Sequence, residues 1–250
     1  MSTLTLLKVG GAELQPGQAI EAFSQALAAH WPNGALVVVH GGGPDIASLQ
    51  ARLGLEPRFV EGLRVTDEAS LEVAEMVLSG MVNKRLVAAL VQQGLPAVGL
   101  SGVDGGLLRA VKLRHSAGDL GRVGEIVATK TGILDDLMDR GYVPIVSPIS
   151  LGQDGRPFNV NADHAALAIA QALGAGEAVF CSNVPGVLDE GALLPHLSAD
   201  EVEPLIASGV ISGGMIPKVR SAVAAIAGGV GAVRITDLAG LTDGGTRISN

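Results

Sequence analysis

Two lysines and one aspartate have the residue types and surroundings needed for chemistry. Lys8 interrupts an apolar strand pattern that ends in Gly10 and Gly11, and Lys218 follows a second glycine turn that opens a helix. Asp163 lies at the beginning of an alanine-rich helix. These groups fit phosphoryl transfer, in which catalysis is mostly positioning and neutralisation of charge. A carboxylate acceptor would need no general base, because it is already ionised at neutral pH.

The run Gly41-Gly42-Gly43 is a second chemical signal. It follows the aliphatic strand pattern of residues 36–39, and Pro44 suits the first turn of a helix. Such a junction presents backbone N–H groups and the positive end of a helix dipole at the carboxyl edge of a sheet. That arrangement is an anion site. The alternative is a tight turn that only allows close packing.

Three side chains near these turns have two interpretations each. Lys8 either reaches a phosphate or is an edge lysine whose ammonium extends to water. Arg64 is either a bidentate clamp for a carboxylate or a solvated loop residue. His40 is either catalytic or a packed histidine bonded to the backbone, and we expect the packed role.

Three polar residues, Asn159, Asn161 and Asp163, lie at the mouth of the alanine-rich helix. A helix cap explains one of them but not all three. We therefore predict a polar site at this position.

Buried strands and amphipathic helices must position these residues. Short apolar runs predict strands at residues 4–9, 36–40, 97–100, 142–147, 177–181 and 232–236. Apolar spacing and helix-start signals predict helices at residues 16–31, 44–53, 68–93, 131–140, 162–174, 199–207 and 215–227. Alternating β pieces with glycines at residues 107–129 predict a hairpin insertion. Gly80 would permit close crossing of the long helix with another, from the same or a second subunit.

Composition limits the function classes. Of 250 residues, 48% are hydrophobic and only 2% aromatic, which is typical of a parallel sheet covered by helices. A net charge of −8 disfavours binding to nucleic acid or to an anionic membrane. The single cysteine, Cys181, excludes an intrachain disulfide and suits a reducing cytoplasm. We expect neither a signal peptide nor a transmembrane segment.

Several familiar motifs are absent from the sequence. It contains no Gly-Lys-Ser/Thr of a P-loop, no Gly-x-Gly-x-x-Gly after a strand, no Gly-x-Ser-x-Gly and no His-Glu-x-x-His. The five histidines show no metal-ligand spacing. P-loop hydrolysis, a dinucleotide fold of the usual signature, serine hydrolysis and zinc chemistry are therefore disfavoured, and we predict no metal site built from protein side chains.

Short motifs follow one another over nearly the whole chain: Lys8-Val9-Gly10-Gly11, His40-Gly41-Gly42-Gly43-Pro44, Gly62-Leu63-Arg64-Val65-Thr66-Asp67, Val82-Asn83-Lys84, Gly99-Leu100-Ser101-Gly102, Asn159-Val160-Asn161-Ala162-Asp163, Val184-Pro185-Gly186-Val187 and Gly213-Gly214-Met215-Ile216-Pro217-Lys218. Together they resemble the acetylglutamate kinases of the amino acid kinase superfamily. The resemblance implies an α/β fold, a three-layer αβα sandwich around an open, mainly parallel, eight-stranded sheet. It also implies one amino acid kinase domain over residues 1–250. The lobe of residues 1–150 would bind the amino acid, and that of residues 151–250 would bind ATP.

The resemblance further implies a reaction and a set of site residues. MgATP would phosphorylate the side-chain carboxylate of N-acetyl-L-glutamate in arginine biosynthesis, with Lys8, Lys218 and Asp163 as the catalytic residues. Mg²⁺ would arrive on the ATP phosphates. The residues implied to bind the acetylglutamate are Gly42, Gly43, Arg64 and Asn159. The residues implied to bind ATP are Gly10, Gly11, Ser182, Asn183, Val184, Pro185, Gly186, Val187, Val210, Ile211 and Ser212.

The sequence departs from the family pattern at Asn183, where many members have aspartate. It also shows no helical extension before the first strand, from which we expect a homodimer insensitive to arginine. Two rival functions stay open at this point. One is a sister kinase that acts on carrier-bound α-aminoadipate in lysine biosynthesis, and the other is a non-catalytic nucleotide sensor of the same fold.

Overall fold

The computed structural model of the protein describes residues 4–30, 35–116 and 118–250. The strands in these ranges are β1 (Thr5–Val9), β2 (Leu36–His40), β3 (Phe59–Val60), β4 (Leu63–Arg64), β5 (Ala97–Gly102), β6 (Leu108–Lys112), β7 (Val123–Thr129), β8 (Val143–Gly152), β9 (Pro157–Val160), β10 (Glu177–Cys181), β11 (Leu188–Asp189), β12 (Ala192–Leu193), β13 (His196–Ser198), β14 (Val233–Thr236) and β15 (Thr246–Ser249). All six predicted strands are present.

The predicted helices are also present. The α-helices are α1 (Gln18–His30), α2 (Gly43–Arg52), α3 (Glu68–Glu75), α4 (Asn83–Gln92), α5 (Gly132–Asp139), α6 (Ala162–Leu173), α7 (Val202–Ala207) and α8 (Met215–Ala227). A π-helix (Met76–Val82) joins α3 to α4, and 3₁₀ turns occur at Asp104–Gly106 and Ala199–Glu201. The predicted end of the first helix, at Trp31, lies outside the described residues. No helix in the described ranges is long and apolar enough to cross a membrane.

One large sheet organises the fold, in the strand order β13-β15-β14-β10-β1-β2-β8-β6-β7-β9, with β5 also paired to β8. Most of its pairings are parallel, as predicted. The sheet contains eleven strands in the described part of the chain, rather than the expected eight. The strands of this sheet that the sequence analysis did not predict are β9, which pairs with β7 and β8, and β13 and β15, which pair with each other.

Alternate residues of the central strands face two separate apolar layers. Leu6 of β1 packs in a cluster with α5, α6, α7 and α8. Its neighbour Leu7 packs in a second cluster with α1, α2, α3 and α4. Both side chains are completely buried, as expected for parallel strands covered on both faces. The predicted αβα sandwich is therefore confirmed.

The long helix predicted over residues 68–93 runs continuously through α3, the π-helix and α4. Gly80 lies in the π segment, and the residues at both junctions keep right-handed helical backbone angles. A π segment inserts extra backbone and shifts the faces that later side chains present. Here, Leu78 of that segment packs on the loop after β2, since a side chain at Gly42 would come within 2.8 Å of Leu78 Cδ2.

Parallel pairing brings the loops after three strands to the same edge of the sheet. Val9, the last residue of β1, is paired with His40 of β2 and with Cys181 of β10. All three residues end their strands. The glycine turns at residues 10–11 and 41–43 and the loop at residues 182–187 therefore begin side by side. Ligands of open α/β sheets bind outside this edge.

Candidate functional site

The two glycine loops are in direct backbone contact. A Cβ atom at Gly11 would lie 2.9 Å from both Gly42 Cα and Pro44 Cδ, closer than real Cβ atoms approach. The helix α2 starts at Gly43 without a side-chain cap on its first turn. Its amino terminus is thus built from bare backbone, as the sequence predicted for an anion site.

A cavity of about 220 Å³ opens beside these loops. All four residues predicted to bind the amino acid line it, namely Gly42, Gly43, Arg64 and Asn159. Residues that the sequence analysis did not single out also line it, among them Phe59, Leu78, Val123 and Pro148. Leu78 had no local sequence signal, because its position depends on the π-helix.

Arg64 lies at the rim of this cavity, at the end of β4. One guanidinium nitrogen donates to Gln50 Oε1, and Nη2 donates to the Gly43 carbonyl oxygen at 3.3 Å. The guanidinium carbon lies 4.6 Å from the centre of the Phe59 ring. Burial lowers the pKa of Arg64 from its ordinary value. The side chain is therefore held by helix α2 and an aromatic ring, and is more than a solvated loop residue.

The polar residues before α6 have three different roles. Asn161 is the cap, because its side chain accepts a hydrogen bond from the backbone N–H of Asp163 at 2.7 Å. Asn159 donates to Thr66 Oγ1 at 3.1 Å and lines the cavity. Asp163 forms an ion pair with Lys8, with 2.8 Å between Oδ1 and Nζ. The prediction that a cap explains only one of them is confirmed.

Lys8, Asp163 and Lys218 interact electrostatically. Burial is the main cause that lowers the pKa of Lys218, and the positive charge of Lys8 lowers it further. The carboxylates of Asp163 and Glu13 act in the opposite direction. Three residues far apart in sequence, from β1, α6 and α8, thus belong to one charged cluster.

A second cavity of about 230 Å³ is lined by much of the predicted nucleotide set. The predicted residues along its walls are Val184, Pro185, Gly186, Val187, Val210 and Ser212. Ile211 does not line this cavity, and its side chain packs in the core. Asn183 is exposed beside this cavity.

Two further members of the predicted nucleotide set have unusual hydrogen bonding. The Ser182 hydroxyl is buried without a hydrogen-bond partner among the described residues, which is rare for a buried polar atom. The Gly10 N–H already donates to the Cys181 carbonyl at 3.3 Å.

No group of three or more His, Cys, Asp or Glu side chains in the described ranges is arranged to hold a metal ion.

His40 is a packed histidine, as expected. Its ring is completely buried, Nδ1 lies 3.0 Å from the Gly41 carbonyl oxygen, and Nε2 lies 3.1 Å from Asn83 Nδ2. A carbonyl oxygen only accepts, so Nδ1 carries the hydrogen and Nε2 accepts from Asn83. Burial lowers the pKa of His40 to about 4, so the ring is neutral at pH 7.

Residues 3–237 match the amino acid kinase family. The chain belongs to this family. Among its relatives, the acetylglutamate kinase of Roseiflexus sp. (strain RS-1) is 54% identical over 243 residues, which cover 97% of this chain and 92% of that protein. The resemblance to acetylglutamate kinases is confirmed by this similarity.

Solved structures support the same fold. The protein smu.665 from Streptococcus mutans UA159 has a TM-score of 0.83 and 31% identity, and the match covers 100% of this chain and 99% of that one. An N-acetylglutamate synthase from Neisseria gonorrhoeae, complexed with coenzyme A and N-acetyl-glutamate, has a TM-score of 0.86 and 29% identity. The match covers 99% of this chain but 59% of the synthase chain.

The buried state of His40 predicts a specific pH dependence of stability. The unfolded chain binds more protons than the folded one between pH 6.5, the ordinary pKa, and about pH 4. Stability therefore rises with pH in this window, and acidification through it removes about 3 kcal/mol of unfolding free energy. Urea unfolding of the wild type and of His40→Gln, at pH values from 7 to 4, measures this contribution as the difference in pH dependence.

The exposed His164 provides the control. The variant His164→Gln should keep the wild-type pH dependence, because folding does not bury this ring. An equal pH dependence in wild type and His40→Gln would contradict the assignment.

Proposed function

We propose that the chain transfers the γ-phosphoryl group of MgATP to the side-chain carboxylate of N-acetyl-L-glutamate, giving N-acetyl-L-glutamyl 5-phosphate in arginine biosynthesis. The supporting observation is the charged cluster of Lys8, Asp163 and Lys218 in a chain 54% identical to an acetylglutamate kinase. In the reaction, a carboxylate oxygen bonds to the γ-phosphorus while the bond to the β–γ bridging oxygen breaks. The acceptor is ionised at neutral pH, so no proton has to be removed from it.

We assign the catalytic roles to the cluster. The ammonium groups of Lys8 and Lys218 stabilise the negative charge on the transferring phosphoryl group, which is the main requirement of this chemistry. Asp163 holds the Lys8 ammonium by an ion pair of 2.8 Å and favours the charged form of Lys218. A sensor of nucleotides would not need these groups.

We assign the two cavities to the two substrates. The acceptor lies in the cavity of Gly42, Gly43, Arg64 and Asn159, with its α-carboxylate on the Arg64 guanidinium. The volume of this cavity, about 220 Å³, suits a small molecule rather than a protein. Residues 1–150 supply most of this cavity, so they form the amino acid lobe.

ATP occupies the cavity lined by residues 184–188 together with Val210, Ser212 and Met215, in the lobe of residues 151–250. The buried Ser182 hydroxyl, which lacks a protein partner in the described part of the chain, fits a hydrogen bond with this nucleotide. The Gly11 loop would contact the phosphates. Mg²⁺ supplies charge neutralisation on the phosphates when bound, and we infer that it enters on ATP. The reaction takes place in the cytoplasm, where ATP and a reduced Cys181 are expected.

We propose a homodimer through the exposed face of the long helix. Met76 and Met81 are 54% and 43% exposed there, although methionine usually packs in cores. Gly80 lies between them, and a Cβ at Gly80 would meet no atom within 4 Å. A helix of a second copy can therefore approach its backbone closely. Insensitivity of the enzyme to arginine stays a prediction.

The acceptor is tested by trapping the acyl phosphate as its hydroxamate. With MgATP, we expect product with N-acetyl-L-glutamate and little with glutamate or α-aminoadipate, because the chain is 54% identical to an acetylglutamate kinase. Carrier-bound α-aminoadipate as the better acceptor would favour the sister kinase. No product with any acid would favour the sensor.

Replacement of Lys8 by methionine should reduce turnover far more than ATP affinity. Loss of one charge-stabilising donor typically lowers kcat by about 10²-fold to 10³-fold. Steady-state kinetics and ATP binding are measured together. Lys130→Met, at an exposed position after β7, should keep both values near those of the wild type. Comparable losses of turnover and ATP affinity in Lys8→Met would contradict the catalytic role.

The homodimer is tested by the mass in solution. Sedimentation should give twice the chain mass for the wild type, and Gly80→Arg should give the mass of one chain, because the arginine blocks helix contact. Val127→Arg, at a site 51% exposed on β7, is the matched control and should remain a dimer. A wild-type monomer or hexamer would refute the proposed assembly.

A further inference from the structure

A buried carboxylate, Asp45, lies between the two glycine loops. It belongs to the first turn of α2, directly after Gly43 and Pro44, and its side chain is 7% exposed. Burial of a carboxylate is costly unless its oxygen atoms are paired. Both oxygen atoms of Asp45 have partners, and neither partner is a residue of the charged cluster.

The first partner is Gln15. Its amide nitrogen donates to Asp45 Oδ2 at 2.8 Å and to the Gly11 carbonyl oxygen at 3.1 Å. An amide nitrogen carries two hydrogens, so these two bonds use its full donor capacity. Gln15 therefore connects the glycine loop after β1 to the first turn of α2.

The second partner is Arg85 of α4. Its Nη1 donates to Asp45 Oδ1 at 2.9 Å and to the Leu14 carbonyl oxygen at 3.2 Å. This nitrogen also carries two hydrogens, and both are used. The Arg85 side chain is 21% exposed, so the ion pair is largely shielded from solvent. The segment of residues 11–15 is thus fixed at Gln15, which bonds to Asp45, and at Leu14, which bonds to the Arg85 that pairs with Asp45.

These hydrogen bonds fix the distance between the glycine loop after β1, which is proposed to contact the phosphates, and the glycine loop before α2, which is proposed to contact the acceptor. The Gly11 and Gly42 backbones are already in contact, so a shift of either loop moves the other or opens a gap. Phosphoryl transfer depends on the alignment of donor and acceptor, and a misplacement of 1 Å costs about 10²-fold in rate. None of the three side chains lines the acceptor cavity.

We propose that Gln15, Asp45 and Arg85 form a clamp that fixes the loop after β1 against the start of α2 and thereby aligns the two substrates for transfer. This inference rests on the proposed function. The three residues are positioning residues, because they act through the glycine loops and not on the reacting atoms.

The clamp is tested with Gln15→Leu, Arg85→Met and the double variant. Each single variant should lower kcat by about 10²-fold, with KM for both substrates within about threefold of the wild type. The double variant should lose no more than the worse single variant, because either change releases the same loop. Arg52→Met, an exposed arginine at the end of α2, should behave as the wild type.

A second measurement does not need the reaction. Without substrates, the amides of residues 11–15 should exchange hydrogen faster in Gln15→Leu and Arg85→Met than in the wild type, and at the wild-type rate in Arg52→Met. If the wild type phosphorylated no acceptor, the proposed function would fail, but this exchange would still decide whether the clamp exists.

Three results would overturn the clamp. They are unchanged exchange in this segment, additive losses in the double variant, and higher KM with unchanged kcat. If Arg85→Met fails to fold, Gln15→Leu decides alone, because Asp45 then keeps its ion pair with Arg85.

Discussion

The ion pair between Lys8 and Asp163 is the interaction on which the proposed site depends. Lys8 lies in β1, in the middle of a parallel sheet, where an ammonium group without a partner would be costly. Asp163 comes from the first turn of α6 and provides the partner at 2.8 Å. Lys218 adds a second cation, on which the carboxylates of Asp163 and Glu13 both act. The pair is partly exposed, so its main effect is orientation rather than net stability.

Local cationic groups and backbone N–H groups explain how an acidic chain can take anionic substrates. The protein has a net charge of −8, so its overall field repels ATP and a dicarboxylate. His40 lies beside the glycine run but is neutral, because burial lowers its pKa to about 4. Attraction must therefore come from the two lysines, Arg64 and the amino-terminal backbone of α2. The proposed site places these groups close to the bound charges, where screening is weakest.

Local sequence patterns predicted the strands and helices, but not the side-chain contacts between elements that are distant in sequence. The bounds of β10 and α8 agree with the prediction, since each is a compact apolar run or stripe bordered by a glycine, Gly176 before β10 and Gly228 after α8. The clamp on Asp45 was invisible, because its partners come from a loop and from another helix. Ile211 was predicted with its neighbours to bind the nucleotide, and its side chain packs in the core while Val210 and Ser212 line the cavity. The sequence alone does not show which side chains of a loop face the core and which face a cavity, because this depends on the elements that pack against the loop.

The glycine run after β2 had two interpretations, an anion site and a turn that allows close packing. In the structure, close packing and an exposed backbone both depend on glycine at position 42. A Cβ at Gly42 would lie 2.8 Å from Leu78 Cδ2 of the π-helix, so packing favours glycine there. The same lack of a side chain leaves the amino terminus of α2 uncovered beside the cavity. Tight packing against the π-helix thus holds the bare backbone in place, and a rigid backbone is what electrostatic stabilisation of a transition state requires. Packing and the proposed anion binding are therefore two consequences of one constraint.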